Sequence, residues 1–396
     1  MKKKLTFKEM LLIFSKRTKK KNTFYIIILL PIITVLLIGI PLLERKQVIE
    51  KTQSDKGKTL TMTLVGDVMM GRNIKKVTDN YGLDYVFRYV SPYFKNSDYV
   101  SGNFENPVLL EEKENYEKAD KHIYLDAQKE TVNAVKEAGF TILNLANNHM
   151  TDYGPKGLTD TLKVFQEQKL DHVGAGKNLT DAKNIAYQNL KGVRVATLGF
   201  TDAYVENSIA TKEQPGVLSM NPDVLFEQIG KAKDPKMGNA DLVVVNAHWG
   251  EEYDTQSNPR QKALAKAMVD AGADIIVGHH PHVLQSFEVY KNSIIFYSLG
   301  NFVFDQGWTR TKDSALVQYQ LQSNGTATLG VIPLKIKEGT PRPVTEGLDS
   351  ERIYRQLTKE VSNDSLWKKH DNKLEISLDH THIINRMKNR EMQGTK

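Results

Sequence analysis

A chain of 396 residues, 40% hydrophobic and 26% charged, can build one large folded body or two ordinary ones and does not have the composition of a disordered protein. Its net charge of +7 is local: residues 1–22 hold nine Lys/Arg and one acid, and the remaining 45 basic and 46 acidic residues nearly cancel, which excludes a general nucleic-acid surface. The absence of cysteine excludes disulfides and thiolate metal sites.

After the basic segment 1–22, residues 23–43 contain a run without charge from Phe24 to Leu43, about the twenty residues that cross a bilayer as a helix. No small-x-small cleavage site follows, so an uncleaved single-pass transmembrane anchor is expected rather than a signal peptide. The preceding basics then place the N-terminus in the cytoplasm and the main domain outside the cell membrane. Residues 44–58 read as a polar linker, 59–337 as the folded domain and 338–396 as a polar C-terminal extension.

Within 59–337 short apolar strands alternate with amphipathic helices. Strands are expected at 60–65, 97–101, 141–145, 171–174, 193–200, 241–246, 273–277, 294–299, 315–321 and 326–336. Helices are expected at 84–94, 127–138, 157–168, 222–233 and 259–271. Asn324-Gly325 between two strands signals a hairpin. The order argues an α/β fold with mixed sheets. No Gly-x-x-x-x-Gly-Lys-Ser/Thr loop is present, so no ATP chemistry is expected.

Five of these strands end in polar, ligand-type residues: Asp67; Glu105; Asn148 with His149; His248; and the run Gly278-His279-His280-Pro281-His282. Residues beyond the carboxyl ends of strands in an α/β sheet gather at one edge. Two carboxylates, an amide oxygen and several imidazoles suit Mn, Fe or Zn, and their number suffices for one or two ions.

This series is similar to the calcineurin-like metallophosphatase pattern. Four wider stretches bring it closer to one family: Val65-Gly66-Asp67-Val68-Met69-Met70-Gly71-Arg72, Ala146-Asn147-Asn148-His149, Gly272 to His282, and Tyr297 to Gln306. These resemble the CapA/PgsA family of capsule and poly-γ-glutamate synthesis proteins. The resemblance implies a four-layer α/β/β/α sandwich. It implies a membrane-anchored subunit of a synthesis and export complex that works beside a polyglutamate ligase and membrane subunits. That subunit would bind or guide the anionic poly-γ-glutamate chain. The alternative is a metal-dependent hydrolase of a phosphoester or of the polymer's amide bond.

Carried over by position, the pattern makes Asp67, Glu105, Asn148, His248, His280 and His282 metal ligands, with Glu105 bridging. His149 becomes the acid that protonates a leaving oxygen. His279 stands as an alternative to His280. Two positions depart from the pattern: Met69 stands where a histidine is usual, and Glu105 where an aspartate is usual. Arg72 and Arg310 are candidates to receive substrate carboxylates through bidentate bonds.

Overall fold

The computed structural model describes residues 7–19, 26–34, 58–344 and 346–394. The N-terminal unit contains the helix Phe7–Lys19 and a nine-residue helical stretch over 26–34. Among the described residues no helix is long and apolar enough to cross a membrane, which corrects the single-pass anchor and the cell-membrane placement expected from the sequence. The rest of the expected span, and nearly all of the linker, lie outside the described residues.

The body is a mixed α/β structure rich in sheet. The larger sheet has ten strands, and Lys58–Val68 lies at its centre. On one side this strand runs parallel to Tyr99–Phe104, which is followed by Ile142–Asn144 and Asp171–Val173, also parallel. On its other side the strand pairs antiparallel with Asp313–Gln322 and, at its carboxyl end, parallel with Asn301–Val303. The hairpin expected at Asn324-Gly325 joins Asp313–Gln322 to Thr326–Lys337. The second sheet has six strands, four of them parallel: Val193–Thr201, Leu242–His248, Ile275–His279 and Ser293–Phe296.

Alternation decides which side chains face which core. Leu60, Met62 and Leu64 of the central strand share a buried cluster with Val195, Val244, Ile275 and Ile294 of the second sheet. Val65 and Val68 instead join Val132, Val135, Leu158 and Phe165 from the helices Glu130–Ala138 and Gly154–Gln168. Val243, Val245 and Ile276 pack with Leu225, Ile229, Leu264 and Met268 from the helices Pro222–Lys233 and Pro259–Ala271.

Local differences from the expected elements have physical causes. The single helix expected over 84–94 is a 3-10 turn, Leu83–Phe87, followed by a separate helix, Ser91–Lys95. Pro92 starts this helix rather than ending one, because the first turn needs no N–H from it. The helix Arg72–Tyr81 had no expected counterpart. The segment after Glu338 is built into the larger sheet: Thr340–Pro343 and Lys373–Asp379 flank Thr326–Lys337, and Trp367–His370 forms the edge. Its Ile353, Leu357, Leu374, Ile376 and Ile383 are buried in the core shared with the second sheet.

Candidate metal centre

Parallel pairing carries the ligand-type residues to one edge. Asp67 stands in register with Asn103, and His279 with His248. Two glycines permit close approaches next to this edge. A Cβ on Gly66 would meet Gly300 O at 1.9 Å, and one on Gly278 would meet Tyr297 O at 1.9 Å. The loop after Gly278 is held in a rarely populated conformation, with φ of +95° at His280 and +57° at His282. Such backbone costs of order 1–3 kcal/mol per residue and clusters at functional sites.

Asp67, Glu105, His248, His280 and His282 are all buried. They form two groups of possible ligands, Asp67–Glu105–His282 and Glu105–His248–His280, whose atoms within each group lie within 4.8 Å of one another. Glu105 belongs to both. His282 Nδ1 is 3.5 Å from Asp67 Oδ2, and its Nε2 is 3.6 Å from Glu105 Oε1. The His248 and His280 rings are 4.7 Å apart. Of the two alternatives in the histidine run, His280 joins a group. His279 lies behind, with Nδ1 3.2 Å from Asp67 Oδ1 but outside hydrogen-bonding geometry, and Nε2 3.3 Å from Asn246 Oδ1.

Burial and the neighbouring Asp67 carboxylate push Glu105 well above the usual range. Burial also acts to raise Asp67, but the neighbouring His279 and His282 imidazoles outweigh it and hold that carboxyl well below its ordinary value. Burial disfavours charge on His282, yet Glu105 and Asp67 raise it to about 9. Burial, reinforced by neighbouring imidazoles, lowers His248, and lowers His280 to about 3, so both rings stay neutral. Glu105 Oε1 and His280 Nδ1 are buried with no hydrogen-bond partner. A buried orphan carboxylate oxygen beside a neutral imidazole is a donor set that fits a divalent cation. These buried groups could hold such an ion.

Asn148 does not stand free. Its Oδ1 is 3.0 Å from His248 Nε2, so a cation taking either group displaces that bond. His149 sits beside the cluster with Nδ1 2.8 Å from Asp152 Oδ2. Lys121 Nζ is 2.7 Å from Asp152 Oδ1 and 3.1 Å from His149 Nδ1. Burial lowers His149 despite the opposing pull of Asp152, so its ring is neutral. Arg72 is held by Asp305 through two nitrogens, its Nε at 3.2 Å, so its fork is already filled. Met69, at the position of the absent histidine, is fully buried and its sulfur accepts from Gly71 N. Arg310 is exposed on a short 3-10 turn, with no bonded side-chain partner among the described residues.

Several participants were missed from the sequence. Asn103 donates to Asp67 Oδ1 at 3.0 Å and to Glu105 Oε2 at 3.2 Å. Asn301 Oδ1 meets His282 Nδ1 at 2.9 Å, and its amide donates to Gln306, which in turn donates to the Tyr253 hydroxyl. The Tyr253 ring lies 6.1 Å from His282 and 5.0 Å from the exposed Trp308. Asn103 and Asn301 sit inside conspicuous strand-end motifs, which is the signal that could have found them. Gln306 closes the same stretch as Asn301, whereas Lys121 carries no such mark.

Comparison with known proteins places these features in context. Residues 61–306 match the model of the bacterial capsule synthesis protein family PGA_cap. The capsule biosynthesis protein CapA of Bacillus anthracis is 69% identical over 390 residues, covering 98% of this chain and 95% of that protein. The PGA biosynthesis protein CapA of Bacillus subtilis is 51% identical over 384 residues, covering 96% and 98%. A probable polyglutamine synthesis accessory protein of Mycobacterium tuberculosis is 28% identical over 287 residues, covering 62% and 74%.

Proposed function

We propose a function from one premise: this chain belongs to the bacterial capsule synthesis protein family PGA_cap, in its CapA branch. It is an accessory protein of capsule and polyglutamate biosynthesis. Within that role, we read it as the subunit that binds or guides the anionic poly-γ-glutamate chain beside a polyglutamate ligase and its partner subunits. It does so at a metallophosphatase-like centre of Asp67, Glu105, His248, His280 and His282. The two sheets, with helices packed against their other faces, are read as the four-layer sandwich of that superfamily.

The observation that carries this reading is Glu105, whose carboxylate is common to both groups of possible ligands and keeps one buried oxygen without a hydrogen-bond partner. A divalent ion there supplies positive charge and Lewis acidity toward an anionic ligand. The chain's own residues do the rest. The strand ends fix the donors, the neutral His248 and His280 leave their lone pairs available, and the exposed Arg310 offers a free fork for a carboxylate. The test is genetic. Asp67→Ala or His280→Ala should abolish capsular polymer while the protein is made at its usual level; normal polymer from both variants would remove the centre from the function.

A second reading, a metal-dependent hydrolase, is favoured by the His149–Asp152 pair. Asp152 accepts from Nδ1, so Nε2 of the neutral ring holds a lone pair that would take a proton from the attacking water and pass it to the leaving oxygen. Purified chain supplied with manganese should then cleave a model phosphoester or polyglutamate, and His149→Ala should lose that cleavage; absence of cleavage in manganese-loaded protein argues against it.

A further inference from the structure

The orientation of Asn103 follows from the backbone, not from the site it serves. Asn144 accepts from Ala146 N through Oδ1 and donates to Ala146 O through Nδ2. Asn147 accepts from His149 N through Oδ1 and donates to Phe104 O through Nδ2. Backbone N–H and C=O groups have fixed polarity, so neither side-chain amide can be reversed. Both then donate to Asn103 Oδ1, at 3.0 Å and 3.1 Å. That leaves the Asn103 NH2 facing the two carboxylates, with His248 Nδ1 at 3.3 Å as a third acceptor within reach.

We infer that Asn103 is a positioning residue that partitions the carboxylate oxygens of the centre. It occupies Asp67 Oδ1 and Glu105 Oε2 and leaves for a cation Glu105 Oε1, which has no hydrogen-bond partner, and Asp67 Oδ2, which accepts only a long bond from His280 N at 3.4 Å. The two remaining oxygens both turn toward His282, one to each ring nitrogen. Each acid would therefore hold a cation through a single oxygen, and the amide hydrogens offset part of the repulsion between two buried carboxylates. The strand-end spacing that places Glu105 two residues after Asn103 makes one amide serve both acids.

This inference rests on the metal-centre reading and is tested so that the two can fail separately. Crystals of the full chain grown with manganese chloride, with the ion located by anomalous scattering, give the coordinating oxygens directly. The expected result is coordination through Asp67 Oδ2 and Glu105 Oε1, with Asn103 still bonded to the other two. In Asn103→Ala the partition should be lost, and at least one acid should coordinate through both oxygens or through the one formerly bonded. Coordination of the wild-type ion through Asp67 Oδ1, Glu105 Oε2 or Asn103 Oδ1 overturns the inference and leaves the metal reading standing, as does an unchanged coordination in the variant. Should the variant not fold, the wild-type coordination alone decides. Failure of the wild-type chain to take up manganese removes both.

Discussion

Asp152 has no solvent exposure and holds His149 Nδ1 at 2.8 Å through one carboxylate oxygen. Its other oxygen takes Lys121 Nζ at 2.7 Å, and Leu125 N donates to the oxygen that faces His149. Removing a carboxylate that satisfies three buried donors leaves the Lys121 charge without its partner, a change that costs about 3–5 kcal/mol. Asp152→Ala should lower the free energy of unfolding in urea by that order. Lys121→Met should cost less, because Asp152 keeps the His149 and Leu125 bonds. Equal losses would mean that the lysine, not the carboxylate, organises this corner.

A centre with two carboxylates and neutral imidazoles should be stabilised by the ion it binds. Manganese at a hundred times its dissociation constant should stabilise the chain by about 2.7 kcal/mol, read as a higher melting temperature that a chelator reverses. His280→Ala and His282→Ala each remove one group of possible ligands and should keep part of the shift.

Arg72 and Arg310 should behave differently although both were expected to meet substrate. Arg72 already spends its fork on Asp305, so Arg72→Ala should act on stability. Arg310 is free, so Arg310→Ala should weaken polyglutamate binding severalfold, most clearly at low salt, where exposed charges are least screened. Exposed Trp308, two residues away, provides a fluorescence signal for the titration. An unchanged affinity in Arg310→Ala would place the polymer elsewhere.

Far from the centre, Asp274 sits at the start of the strand Ile275–His279, bonded to Lys233, His382 and Val243 N. Burial acts to raise it, but Lys233 and then His382 lower it from 3.8 to about 2. A depressed folded value means the stabilisation is full above the unfolded value near 4 and is lost as pH falls through about 2. The shift corresponds to roughly 2 kcal/mol. Asp274→Asn should therefore lower stability at pH 6 and flatten the acid limb between pH 4 and 2. A variant with the same acid limb as the parent would show that another carboxylate governs it.

The parts of the fold readable from sequence are those with local chemical punctuation. The helices at 222–233 and 259–271 begin and end where expected, because Asn221 and Asn258 cap them, prolines follow the caps, and Gly272 takes a φ of +117° at the end of the second. Lys373–Asp379 was hidden by its own composition. Leu374, Ile376 and Leu378 alternate with lysine, acids and serine, the pattern of a strand near a sheet edge with one wet face, and the charged members masked the period. The gathering of Asp67, Glu105, His248, His280 and His282 followed from their positions at strand ends. Lys121 could not be found that way: in a loop of lysines and acids, nothing local distinguishes the one that turns inward.

The account depends on a cation held between the two groups that share Glu105. Elemental analysis of the purified full chain, after equilibration with manganese and removal of excess, measures this directly in the parent and in Glu105→Ala. One or two ions per parent chain and none in Glu105→Ala is the result expected. Parent chain without bound metal, or a variant that retains as much as the parent, would contradict it.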